Sequence, residues 1–466
     1  AGLPRVHALR ELASAEAAGG NLLNAARYAD EAASQVPANA AGNLLGILQA
    51  ATYYHFVLAD FPAARERLQQ AEAVFARLRS SKGWLTWRHT WTATIERARA
   101  EIFRADGRFV EAEGGFRKAI AANEAFLVQL RGGGIKDADP EMLERSQHYA
   151  EILERSLGST LLAQGKLAES EVFVRRALQR SLERVGRAST DVAIGLGLLS
   201  SVLAEQGRAA EASRLAQEAL LSYQQAGAAE DSMFVSTARK NLGSALVAQG
   251  RYGEAASIFV RNREALKNNP ELLRKVGSGH TEWVIALLRT GDQAAAERMS
   301  RSMYEWAAKR YGEADSRVAF RRAFVAMTVA ERGDYPGALA LFRASVPQLL
   351  AQARDDVEAE TGTLRKQRYL IIILESYLRA LASAGTSTPE TLAESFRIAD
   401  IARSSIVQRA LTAAAARANI ADPRLADMAR REQDAQRRGN ALSELLTQLL
   451  SAPPEQQLAK VQETLR

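Results

Sequence analysis

Cysteine is absent from the 466 residues. That removes thiol nucleophiles, disulfides and cysteine-ligated zinc from the chemistry of the chain, and it fits any compartment. Aromatic residues make up only 6% and prolines number 11. No stretch of about 18 apolar residues occurs, so nothing reads as a membrane span. The longest apolar run, Tyr369 to Leu374, reads as buried helix. Charge of one sign is not in large excess: 61 basic against 54 acidic residues give a net +7, interspersed along the chain. That balance favours weak association with acidic partners and does not argue for nucleic acid as a partner. No Ser-His-Asp arrangement, nucleophile elbow, P-loop or dinucleotide fingerprint is present. The run Arg131-Gly132-Gly133-Gly134 has no Gly-Lys-Ser/Thr after it and reads as a loop tip. The chain is therefore read as a non-enzyme with no cofactor and no metal.

A repeat is what the chain does have. Gly107, Gly165, Gly207, Gly250, Gly291 and Gly333 are each followed, five residues on, by a small residue: Ala112, Ser170, Ala212, Ala255, Ala296 and Ala338. Four residues before each stands a large apolar one: Phe103, Leu161, Leu203, Leu246, Leu287 and Val329. The last four intervals are 42, 43, 41 and 42 residues. A fixed period of this size is the signature of a stacked repeat, and such arrays present surfaces to other molecules. Within each period a first helix ends at the glycine, which supplies the positive φ the turn needs. The small residue then lets the second helix approach closely.

These residues resemble the tetratricopeptide repeat, whose usual period is 34. The longer period is similar to that of kinesin light chains. Weaker units surround Gly20 (Leu22, Ala25, Ala32), a stretch without a glycine (Phe61, Ala64, Leu68, Ala71), and Gly385 (Tyr377, Leu381). Two intervals are long: Gly107 to Gly165, which holds the glycine run, and Gly333 to Gly385, which holds Asp355, Asp356, Glu358 and Glu360. Both are read as longer loops or extended helices. The expected fold is all-α: a tetratricopeptide superhelix (α-solenoid) of eight or nine helical pairs over 1–388, looser in 1–92 and regular in 93–350.

From Pro389 the pattern changes. A helix through Phe396-Arg397-Ile398-Ala399-Asp400-Ile401-Ala402-Arg403 is followed by Asp422-Pro423. A charged helix then runs through Arg430, Arg431, Glu432, Asp434, Arg437 and Arg438, with Leu442, Leu445, Leu446 and Leu449 on one stripe. Residues 389–466 are read as a long helical hairpin. Joined to the repeats, they resemble the N-terminal half of bacterial CHAT-domain proteins, a family that couples such repeats to a caspase-like cysteine peptidase. The resemblance implies the regulatory or recruiting half, ending where the peptidase would begin, with that domain as one partner. No family catalytic residue maps onto this chain. It begins at Ala1 without methionine, which reads as a processed or cut protein; it fits the cytoplasm or, after removal of a signal peptide, the periplasm or exterior.

First helices of tetratricopeptide arrays line the concave side. By register, Arg97, Glu101, Arg104, Arg155, Ser159, Ser201, Glu205, Lys240, Asn241, Ser244, Glu282 and Arg289 face inward. Asn241 stands where related repeats hold a peptide backbone, and Lys240 could meet a carboxylate. The alternative reading is an ordinary solvated or internally paired face. Trp84, Trp87 and Trp91 share one helix face and read either as packing between repeats or as an aromatic anchor for a partner. Glu144, His148 and Glu151 also share a face, and surface hydrogen bonding is the reading preferred there over a metal. The function expected is protein–protein interaction, a peptide or protein partner held in the concave groove. The alternatives are a ligand- or polyanion-sensing module and self-assembly through the terminal hairpin.

Overall fold

Alanine-rich segments broken by glycine at a fixed spacing can bury their apolar stripe only by pairing, and the computed structural model is built of such pairs throughout. It describes residues 3–135, 140–269, 272–273, 281–358, 364–385 and 388–418. Among the described residues there are eighteen α-helices and no strand. In chain order they are α1 Leu3–Ala18, α2 Leu22–Gln35, α3 Ala41–Val57, α4 Phe61–Arg79, α5 Trp84–Ala105 and α6 Phe109–Arg131. Then come α7 Pro140–Ala163, α8 Leu167–Val185, α9 Thr190–Glu205, α10 Ala209–Gln225, α11 Met233–Ala248 and α12 Tyr252–Ala265. The last are α13 Thr281–Thr290, α14 Gln293–Tyr311, α15 Ser316–Glu331, α16 Tyr335–Glu358, α17 Leu364–Ser383 and α18 Pro389–Ala418. The fold of the described residues is all-α. The second helix expected after Asp422-Pro423 lies outside the described residues, as does Glu360.

All six repeat glycines turn with positive φ, from 74° at Gly107 to 88° at Gly333. The stretch without a glycine solves the same turn differently: Ala59 takes φ 59° there, five residues before the fully buried Ala64. Ala112, Ser170, Ala212, Ala255, Ala296 and Ala338 are all completely buried, as close helix crossing requires. The closeness is severe at Gly243, where an added Cβ would stand 2.6 Å from the Phe259 ring. The two long intervals are filled by long helices: α6 and α7 span 23 and 24 residues, and α16 spans 24 with Pro347 inside it.

The chain divides into two compact units. Unit 1 comprises Ala1–Asp292 with Ala353–Arg365, and unit 2 comprises Gln293–Gln352 with Lys366–Arg466. In unit 2, Phe342 stacks on Tyr377 at 4.9 Å, and Tyr369 meets Phe320 and Phe324. Arg343 and the Tyr377 hydroxyl converge on Glu394, tying α16 and α17 to α18. In unit 1 the array returns toward its own start. Met233 at the head of α11 packs on the cluster of Ala13, Leu22, Ala25, Ala51 and Tyr54. A Cβ at Gly20 would lie 2.8 Å from that of Ser232.

A polar lock accompanies the glycine period. The glutamine just before the glycine donates to the first carbonyl of the preceding second helix: Gln164 to Phe109 at 3.2 Å, Gln206 to Leu167 at 3.5 Å, Gln249 to Ala209 at 3.1 Å. Gln164 and Lys166 also donate to Glu113, and Gln206 and Arg208 to Glu171, one repeat later. Each lock satisfies buried polar groups between neighbouring repeats and fixes their spacing.

Candidate functional site

In unit 1 the first helices of successive pairs touch one another directly, and side-chain bonds mark the layer they form. Arg104 of α5 donates to Ser159 of α7 at 3.1 Å, and Ser156 of α7 donates to Glu101 of α5. Arg155 of α7 reaches Asp191 of α9 at 3.1 Å. Asn241 of α11 donates to the Gly197 carbonyl of α9 at 3.0 Å.

The residues expected to face inward fall into three states. Arg97 is buried, its guanidinium 5.1 Å from the Tyr53 ring and 5.4 Å from the Tyr149 ring. Glu101 is fully buried against Arg104, and Arg155 is buried between Asp191 and Ser181. These four are committed inside unit 1, as are Tyr53, Tyr149 and Tyr223, whose hydroxyl pKa values burial raises. Ser159, Ser201, Lys240 and Asn241 are half-buried, Ser244 is buried, and Arg289 is exposed. The layer is thus filled by its own arginines and tyrosines at the α5–α7 end and carries smaller polar groups along α9 and α11.

Between α9, α11 and α13 lies a four-charge group. Arg365 pairs with Glu205 and stands 3.6 Å from Glu282. Lys240 sits beside them. Burial lowers its pKa most, Glu282 raises it, and Arg365 lowers it again, with a downward result. Glu205 Oε2 is buried without a hydrogen-bond partner among the described residues. Glu205 and Glu282 were legible by register; Arg365 was not, because nothing in its local sequence announces a return to residues so far upstream.

His148 and Glu151 do come together, with Asp191 rather than Glu144 as the third group. Arg184 bonds both Glu151 and Asp191 at 2.8–2.9 Å, and Arg155 adds a second guanidinium to Asp191. Two cations already neutralise those carboxylates, and burial lowers the His148 pKa more than Asp191 raises it. The set is an interhelical ion-pair network whose charge does not suit a metal.

The tryptophans pack within unit 1. Trp84 meets Phe75 at 5.7 Å and Trp91 at 6.2 Å, and Trp87 meets Phe126 at 6.1 Å. Trp87 and Trp91 also border a cleft of about 550 Å³ between α3, α5, α6 and α7. Sequence reasoning missed its other wall, Gly42, Gly46 and Gln49 of α3. Their i, i+4, i+7 spacing, two glycines inside a helix with a glutamine below, is the signal that could have found it.

Among the described residues no helix is long and apolar enough to cross a membrane. No family model and no curated protein matches the chain. Among solved structures, it is similar to a Rap protein complexed with competence and sporulation factor, at 12% identity and TM-score 0.48, over 80% of this chain and 99% of that one. It is similar to BtubC (BKLC) from P. vanneervenii at 16% identity and TM-score 0.37, over 54% and 91%. It is also similar to the TPR2AB domain of yeast Sti1 in complex with pHSP90 at 13% identity and TM-score 0.22, over 61% and 99%.

Proposed function

We propose that unit 1 is a protein-interaction scaffold that holds an extended segment of a partner along the α9–α11–α13 part of its first-helix layer. The observation that carries the reading is Arg365. A guanidinium from a distant part of the chain is seated between Glu205 and Glu282, beside Lys240. A surface that accepts one chain-borne guanidinium has the chemistry to accept another, because a carboxylate pair is a natural partner for that group. Asn241 and the small Ser201, both half-buried, stand on the same helices and would flank a bound backbone. The partner's basic residue would take the seat that Arg365 occupies.

The resemblance of 389–466 to CHAT-domain proteins extends this reading: the scaffold would serve as the recruiting half of a caspase-like peptidase. The test is a peptide library displayed against the full chain, with selected peptides measured by fluorescence anisotropy. Glu205→Gln/Glu282→Gln should weaken binding at least about tenfold by removing the charges of the seat, and Arg365→Ala should strengthen it by emptying the seat. Peptides indifferent to both variants would sink the inner-face assignment. Binding lost only on deletion of 389–466 would move the function to the terminal segment.

A further inference from the structure

The cleft between α3, α5, α6 and α7 uses none of the residues of the inner-face reading, and it has the features of a small-molecule site. Its volume is about 550 Å³, within the roughly 300–1,000 Å³ usual for such pockets. Trp87, Trp91 and Tyr149 supply aromatic surface, with Phe126 and Met142 beside them. The α3 wall is bare backbone. A Cβ at Gly46 would meet nothing within 4 Å, so the space is open there, whereas one at Gly42 would lie 3.0 Å from Trp91 Nε1. A helix gives up stability of about 1 kcal/mol for each interior glycine relative to alanine. Here Gly46 keeps the cleft open and Gly42 lets the indole lie against the helix.

The second observation is Gln49. It lines the same cleft, is only 6% exposed, and its side-chain amide has no hydrogen-bond partner among the described residues. The amide atoms stay accessible, so a molecule in the cleft can reach them. By contrast Asn123, on the opposite side, is satisfied: it donates to the Ser146 carbonyl at 3.0 Å and accepts from the Ser146 hydroxyl at 3.1 Å. Gln49 therefore presents one donor–acceptor edge to a space lined by aromatic side chains.

We infer that this cleft binds a small planar heteroaromatic molecule bearing a donor–acceptor edge, its ring against Trp87 and Trp91 and its edge on the Gln49 amide. Flat rings gain from stacking on indole faces, and a complementary edge satisfies the amide that the protein leaves unmatched.

The experiment uses the full chain and ligand-observed saturation-transfer NMR, with adenine and benzamide as free ring probes. Cyclohexanecarboxamide carries the same edge without the ring, and N-acetyltryptophanamide stands for a peptide-borne ring. Adenine or benzamide should bind saturably, cyclohexanecarboxamide should not, and Gln49→Leu should weaken binding roughly three- to tenfold, the range of one neutral hydrogen bond. Gly46→Leu should abolish binding by filling the open space while keeping the helical circular dichroism and leaving the melting temperature unchanged or raised, since the Cβ meets nothing and the glycine penalty is removed. Equal binding of the ring-free amide, or unchanged binding in Gly46→Leu, would overturn the assignment. Binding of N-acetyltryptophanamide without adenine or benzamide would overturn the small-molecule reading and give the cleft to a peptide side chain. No saturable binding by any probe would overturn it altogether.

Discussion

Glu113 should make the junction between the α5–α6 and α7–α8 pairs sensitive to acid. Its carboxylate accepts from Arg117 at 2.8–2.9 Å, from Gln164 at 2.9 Å and from Lys166 at 2.7 Å. Burial by itself would raise its pKa, but the bonds from Lys166, Gln164 and Arg117 outweigh it and hold the group at about 2, against 4.5 for the free side chain. The native state therefore binds the proton more weakly than the unfolded state does. The resulting stability is fully present above pH 4.5 and is lost as pH falls from there toward 2. At about 1.4 kcal/mol per unit, the carboxylate contributes on the order of 3 kcal/mol at neutral pH, and less to the extent that its 12% exposed side chain is screened. Glu113→Gln should cost about that much at pH 7 and almost nothing near pH 2. Repeat arrays need not unfold in one step, so the assay is local: hydrogen exchange of the α6–α8 amides at pH 7, 4 and 3. The wild-type and Glu113→Gln protection factors should converge as pH falls. Parallel curves through pH 3 would refute the argument that the lock is a carboxylate held by cations.

Other outcomes follow from the same packing. Gly243→Ala should destabilise by about 1–2 kcal/mol, because overpacking against Phe259 outweighs the gain in helix propensity. Gly114→Ala, where an added Cβ meets nothing within 4 Å, should instead stabilise by about 0.5–1 kcal/mol; urea midpoints compare the two. Ala59→Gly should raise stability by about 0.5–1 kcal/mol by relieving the left-handed backbone, and an unchanged midpoint would mean the turn is unstrained. Phe116→Ala should cost about 3–5 kcal/mol, since the ring is fully buried among Leu153, Leu157 and Leu161.

The repeat was readable because its chemistry is local. A glycine that must turn with positive φ and a small residue that must sit at a helix crossing leave marks at fixed spacing, from Gly107 to Ala338. The unit around Ala59 hid its turn because an alanine adopts there what glycine does elsewhere. The locks of Gln164, Gln206 and Gln249 were in the same register yet were overlooked, since a glutamine beside a turn carries no meaning until its distant carbonyl is known.

For the inner face, register named Arg104, Ser159, Lys240 and Glu282 as inward-facing, and in the structure Arg104 bonds Ser159 while Lys240 stands near Glu282. It could not tell a side chain open to a partner from one already committed inside the array. Arg97 is committed because Tyr53 and Tyr149 from other helices close on it, and Glu101 because Ser156 of α7 joins Arg104 on its carboxylate; the partners from other helices are a tertiary fact. Arg365 is the extreme case, its place fixed only by the chain's return. The cleft beside Trp87 likewise needed three helices in position before the open space at Gly46 and the unmatched amide of Gln49 could be seen.

The most direct test of the central claim is hydrogen exchange of the full chain with and without a display-selected peptide. The account predicts added protection on the first helices α9, α11 and α13, lost in Glu205→Gln/Glu282→Gln. Protection confined to the second helices α8, α10 and α12 would contradict it.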